Sequence, residues 1–281
     1  MSPLAVTLAL LAVTAVTAKV QEVSLDMAED SFDDQYRGCR DTITADLWNL
    51  SNAEFQKNPH LAQVWAKAAA TWWKWGPPKT HLSPDQAIAI VAYTRNELYA
   101  EFNAATRQAG SSPLWYHQKF HYKTLHFLLS DALATLREPR CRCVFRGVDG
   151  CKFLARPGQR VRFGQFASTS LCRGVAQGFG KDTVFQVNTC HGADIHSFSN
   201  YEGEQEVLVP PFETFQVTKV TQVGKTTRIY LNSTGTSSKY NCEWLRGDSV
   251  GTPGGSLPSH PPHLGGLLLA TVAMAVASGT I

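Results

Sequence analysis

The 281-residue chain lacks both nucleotide-binding fingerprints that a sequence can show, the G-x-G-x-x-G run and the P-loop. It also lacks the alternation of strand and helix patterns that builds a doubly wound parallel sheet. Any nucleotide it binds is therefore held without a Rossmann unit. The G-x-S-x-G elbow of serine hydrolases is absent, because Phe166-Ala167-Ser168-Thr169-Ser170-Leu171 has serines but no glycines. His117 and His121 stand one helical turn apart, as in zinc proteases. However, Gln118 replaces the glutamate of that mechanism and no third ligand follows, so a solvated helical face accounts for the pair. There is no internal repeat. A net charge of +3 with dispersed basic residues gives no electrostatic basis for binding nucleic acid.

Charge is missing from both ends as well. Ser2 to Ala18 carries none and closes on Val16-Thr17-Ala18, just before Lys19. This reads as a secretory signal peptide over 1–18, too short to span a bilayer. At the other end, Gly247 to Pro262 is rich in Gly, Ser, Pro and His, and Leu264 to Ile281 holds no charge. Small residues Gly254-Gly255-Ser256, a short spacer and a hydrophobic tail make the arrangement that directs GPI attachment, with Ser249, Gly251 and Thr252 also small enough to serve. No basic residue follows the tail to stop it as a membrane span, which is the second reading. The expected location is the extracellular face of the plasma membrane.

Seven cysteines in an exported chain are expected mostly as disulfides, and the odd count leaves at least one without an internal partner. Zinc is the weaker reading, since Cys141-Arg142-Cys143 has one intervening residue where a knuckle prefers roughly two to four. The sequons at Asn49 and Asn232 suit surface glycosylation.

Between the ends, about 230 residues suffice for one substantial domain or two lobes sharing a core. Helical patterns fill the first half. Ser83 as N-cap, Pro84 at N1 and Gln86 at N3 form a capping box ahead of Ile88, Val91 and Ala92. A run through Leu98, Phe102 and Ala105 ends by Gly110, and another from about Phe120 to Leu136 stops before Pro139. Trp65, Trp72, Trp73 and Trp75 read as core or inter-lobe packing. After Pro139, short β-type runs take over: 144–146, 161–163, 184–187, 207–209, 212–217, 228–231 and 239–245.

Three features carry chemistry. Arg146 ends a strand beside Gly147, a fork next to accessible backbone that suits phosphate. Ser168 and Ser170 share one face of a strand, with Thr169 on the other. On an extended chain Glu204 and Glu206 point the same way, roughly 7 Å apart, so each raises the other's cost of ionisation. A cationic sugar transition state gains from such a carboxylate pair. A solvated loop end is the plain alternative.

In this order, Arg146, Ser168-Thr169-Ser170 and Glu204-x-Glu206 resemble the R-S-E signature of mono-ADP-ribosyltransferases of the iota-toxin-like kind. The whole chain is similar to the vertebrate arginine-specific ecto-ADP-ribosyltransferases in AEDSFDDQY (28–36), VAYTRNELYAEFN (91–103), KTLHFLL (123–129), VFRGV (144–148), FGQFASTSL (163–171), EGEQEVLVPPFETFQV (202–217) and RIYL (228–231). That resemblance implies an α+β fold, with an N-terminal helical part at 19–138 packed on a split β-sandwich at 139–247, and 248–281 as attachment region and removed tail. It implies NAD as substrate, no metal, arginine-containing acceptor proteins and a monomeric chain. Arg146 would bind the phosphates, with the Gly147 backbone and Phe179 at the nicotinamide. Ser168 would orient the catalytic Glu206, and Glu204 would receive the acceptor guanidinium beside a loop over about 194–203 holding Tyr201. Pairings Cys39–Cys242 and Cys141–Cys190 follow from the resemblance; Cys143, Cys151 and Cys172 stay unassigned, with Cys151–Cys172 left open. NAD hydrolysis without transfer, or a catalytically silent GPI-anchored surface protein, are the rival functions.

Overall fold

The structure, a computed structural model, describes residues 20–76 and 80–249. Among these, β1 (Gln21–Ser24) precedes α1 (Arg40–Ala45), α2 (Leu47–Lys57), α3 (Pro59–Trp75), α4 (Pro84–Tyr93), α5 (Tyr99–Ala109), α6 (Pro113–Lys119) and α7 (Lys123–Leu136). Then follow β2 (Arg142–Val148), β3 (Cys151–Leu154), β4 (Arg160–Val161), β5 (Ala167–Ser170), α8 (Arg173–Gly178) and β6 (Thr183–Thr189). The order ends with β7 (Ala193–Asp194), β8 (Glu206–Val209), β9 (Glu213–Val223) and β10 (Thr226–Thr236). The leader read at 1–18 and the tail from 250 onward lie outside the described residues.

The capping box forms: Gln86 N donates to Ser83 Oγ at 3.2 Å and Ser83 N to Gln86 Oε1 at 2.7 Å. It starts α4, whose residues Gln86 to Tyr93 are all buried. A helix apolar all round belongs inside a core, and α4 packs against α3 and α7. The eight-stranded sheet runs β4-β9-β10-β6-β2-β5-β8-β7, mostly antiparallel with one parallel pair between β10 and β6. β8 is buried along both faces. Leu208 enters the helical core while Val207 and Val209 enter a second core among the strands. Its unbroken Val-Leu-Val run is the signature of that double burial.

Asp33 and Arg162 tie three distant segments together. Their side chains meet at 2.6 Å, both buried. Arg162 also donates to the carbonyls of Met27, Ala28 and Ser237, and Asp33 Oδ1 accepts from the backbone N–H groups of Lys239 and Tyr240. For this reason residues 239–245 do not form the expected strand. A carboxylate satisfies their backbone where a ladder would have, and a 3₁₀ turn follows at Glu243–Ser249. The disulfides Cys39–Cys242 and Cys141–Cys190 are present, while Cys143, Cys151 and Cys172 are free thiols, which removes the open Cys151–Cys172 pairing.

Two further expectations are corrected. His117 and His121 do not share a helical face, because α6 ends at Lys119 and His117 Nε2 pairs instead with Glu243 Oε1 at 3.1 Å. Of the tryptophans, Trp72 is core and Trp65 packs on its edge, but Trp73 and Trp75 are exposed. At i, i+1 and i+3 along α3, one helix face cannot bury them all.

Removing one partner of a buried ion pair leaves the other charge stranded. Asp33→Ala is accordingly expected to cost about 3–5 kcal/mol in denaturant unfolding. Removal of the exposed Lys239–Glu29 pair by Glu29→Ala should cost less than about 1 kcal/mol.

Candidate active site

β2 and β5 are joined by one residue pair, Phe145 with Ser170. β2 has a full ladder with β6 on its other side, and β5 with β8 on its own. Beyond the shared pair the strands part, and the gap is a cleft of about 610 Å³. Small-molecule sites generally measure roughly 300–1,000 Å³. Arg146, Gly147, Ser168, Phe179, Glu204 and Glu206 all line it, so the candidate residues gather in one place.

Arg146 reaches across the gap, its Nη1 donating to the Ser168 carbonyl at 2.7 Å. Burial lowers its guanidinium pKa, and Tyr93 and Glu206 oppose that shift. Beside it, Gly147 has a steric task. A Cβ there would sit 2.1 Å from the Ala176 carbonyl oxygen and 2.4 Å from that of Gly180. Only glycine lets α8 close on β2, and that closure sets Phe179, largely exposed, at the cleft wall.

Glu206 opens β8 and is only 5% exposed. Burial pushes its carboxyl above the usual carboxylate range; a hydrogen bond from Ser168 opposes this, the charge of Glu204 adds to it, and Ser199 and Arg146 oppose it again. The Ser199 hydroxyl donates to Glu206 Oε2 at 3.2 Å. Glu204 is not on the strand. It ends a 3₁₀ turn, Glu202–Glu204, and Gln205 takes a left-handed conformation at φ 47° before the strand begins. Both carboxylates thus face the cleft through a turn rather than through the pleat. Ser170 holds that turn, its hydroxyl donating to the Glu204 carbonyl at 2.6 Å while Leu171 N donates to Gln205 O at 3.1 Å. Burial also raises the Glu204 carboxyl.

The loop before the turn is pinned to the helices. Asn200 Nδ2 donates to Val91 O at 2.9 Å and to Thr94 Oγ1 at 2.8 Å, and Asn96 Nδ2 to the Tyr201 hydroxyl at 2.8 Å. Tyr93, Tyr99, Asn103, Arg107 and Gln165 complete the cleft, Arg107 donating to the Gln165 carboxamide. None of these five stands out as a site residue in the sequence, because α4 and α5 meet β5 only in the fold.

The sequence profile described as NAD:arginine ADP-ribosyltransferase matches residues 25–239. The chain belongs to this family. Among curated ADP-ribosyltransferases, the NAD(P)(+)–arginine ADP-ribosyltransferase 2 of Gallus gallus is 48% identical over 250 residues, spanning 84% of this chain and 80% of the relative. The GPI-linked NAD(P)(+)–arginine ADP-ribosyltransferase 1 of Homo sapiens is 47% identical over 247 residues, spanning 80% and 76%. Among solved structures, the eukaryotic mono-ADP-ribosyltransferase ART2.2 superposes with a TM-score of 0.70 at 35% identity, covering 78% of this chain and 98% of that one. A variant of that enzyme was solved in complex with NAD. The fold is therefore the α+β ADP-ribosyltransferase fold, split between its two half-sheets.

Two outcomes follow. Gly147→Ala should force α8 off β2, read as faster amide exchange over 173–178 and a lower Tm. Glu206, whose folded pKa lies above its unfolded one, costs stability as pH rises through that interval. Glu206→Gln should then raise Tm at neutral pH and leave it unchanged below the carboxylate range.

Proposed function

We propose that the chain transfers ADP-ribose from NAD to arginine side chains of extracellular or cell-surface proteins, releasing nicotinamide. The observation that carries this reading is the buried Glu206 carboxylate, hydrogen-bonded by Ser168 and Ser199 and set in one cleft with Arg146 and Glu204. The cleft fits a dinucleotide: it has the volume, a guanidinium for the phosphates, and aromatic walls in Tyr99 and Phe179. Arg146 binds the pyrophosphate, and the Gly147 backbone with Phe179 holds the nicotinamide. Glu206 anchors the adjoining ribose hydroxyl and stabilises positive charge that grows on the ribose as the bond to nicotinamide breaks. Ser168 orients Glu206.

Glu204 stands at the partly exposed mouth, where burial raises its carboxyl. It receives the acceptor guanidinium by a charge-assisted pair and takes up the proton lost on transfer. Residues 19–138 and 139–247 together form this catalytic unit, acting as a monomer. The leader at 1–18 is removed, and 248–281 directs a GPI anchor, as the names of the GPI-linked relatives support. Asn49 and Asn232 are exposed and carry glycans; Asn232 Oδ1 accepts from Asn188 Nδ2 at 2.8 Å, which leaves the Asn232 nitrogen to bear the sugar.

Labelled NAD with a small guanidino acceptor tests the reading on the full chain displayed at a cell surface. Label in the acceptor supports it; free ADP-ribose alone makes the chain a glycohydrolase, and intact NAD makes it catalytically silent. Glu206→Gln should lower both transfer and hydrolysis by at least about 10²-fold. Glu204→Gln should lose transfer to arginine while hydrolysis persists, and retained transfer would remove Glu204 from its role.

A further inference from the structure

The reaction described above leaves Tyr93 and Asn103 without a part, although both are buried in the cleft wall. Tyr93 ends the wholly buried α4, so the core fixes where its phenol lies. Its ring packs edge-on against Phe102, with centroids 6.1 Å apart, and tilted on Phe166 at 6.2 Å. The hydroxyl donates to the Phe166 carbonyl at 3.1 Å, lies within hydrogen-bond reach of Ser168 Oγ at 3.3 Å, and accepts from Asn103 Nδ2 at 3.2 Å. Asn103 Oδ1 is buried with no partner among the described residues. Packing alone would favour an apolar side chain there.

A phenol has one proton and a serine hydroxyl has one. When the Ser168 hydroxyl donates to Glu206, its lone pairs are free to accept from Tyr93, whose one proton is then shared between Ser168 Oγ and the Phe166 carbonyl. The donors then point one way, from Asn103 to Tyr93, to Ser168 and to the Glu206 carboxylate. Each donor in such a chain polarises the next. We infer that Tyr93 and Asn103 are positioning residues of the ADP-ribosyl-transfer site, which fix the Ser168 hydroxyl and aim its proton at Glu206. This rests on the function proposed above. It also gives a use to the Tyr93 phenol, which burial and the neighbouring Glu206 charge push up to about 12, so that it stays a neutral donor throughout the working range.

The charged or titratable groups facing Glu206 are Arg146 from β2, Glu204 from the turn before β8, and Tyr93 from α4. Loss of the Tyr93 hydroxyl weakens Ser168 as a donor to the carboxylate, so Glu206 should hold its proton to higher pH. The test is steady-state NAD turnover by the full chain across pH, with Tm recorded for each variant. Tyr93→Phe keeps the ring; the expected result is kcat down about tenfold, KM for NAD within about twofold, and the acid limb of kcat/KM moved to higher pH. Asn103→Leu should shift the same quantities in the same direction, and it carries the test if Tyr93→Phe does not fold. A folded Tyr93→Phe with unchanged kcat and acid limb overturns the inference. So does a fall in kcat with the acid limb unmoved, because packing alone would then explain it. Glu206→Gln is run alongside: if it still turns NAD over, the site itself is misassigned, whereas an inactive Glu206→Gln beside an unaltered Tyr93→Phe removes only the positioning role.

Discussion

A sheet that splits after a single paired position governs this molecule. Phe145 and Ser170 are held together, and the strands on either side belong to different neighbours from there on. Three groups of the cleft are placed relative to that one contact. Arg146 is the next residue along β2, Ser168 lies two residues back along β5, and Ser170 itself grips the turn that delivers Glu204. An intact ladder would have satisfied these backbones and left no gap. The opening is tolerable because other groups take over the unpaired polar atoms, as Arg146 does for the Ser168 carbonyl.

Much of the remaining structure keeps the two half-sheets in place. α4, buried between α3 and α7, ends at Tyr93, whose hydroxyl reaches Phe166 and Ser168 of one half-sheet. α8 rests on the other, at a distance only Gly147 permits. The Asp33–Arg162 pair binds the start of the chain, β4 and the run after β10 into one junction. Against this rigid surround stands a carboxylate that would be better solvated elsewhere. Glu206 is raised by burial and by Glu204, an arrangement that works against folding and in favour of a cationic transition state.

The sequence announces those features whose cause is local. Ser83 and Gln86 are three residues apart, and their capping box forms as read. The β-run 207–209 is legible because double burial demands apolar residues throughout. The carboxylate pair is legible as a pair but not in its geometry: nothing in Glu-Gln-Glu announces that Gln205 turns left-handed, since that conformation depends on Ser170 and Leu171 on another strand. Residues 239–245 have the composition of a strand, yet the partner that claims their N–H groups is Asp33, more than two hundred positions earlier. Tyr93 and Asn103 fail for the same reason. Each has an ordinary helical neighbourhood in sequence and acquires its meaning from β5.

The Cys39–Cys242 bridge has a mechanical side. Cys242 lies six residues beyond the end of β10, between the sheet and the last described residue. Tension applied at the C-terminal end therefore reaches a covalent crosslink before it reaches β10. The load passes to Cys39, in the turn that leads into the helical layer, and is shared there across the packed helices. β10 is spared from being unzipped hydrogen bond by hydrogen bond by a pull from that end.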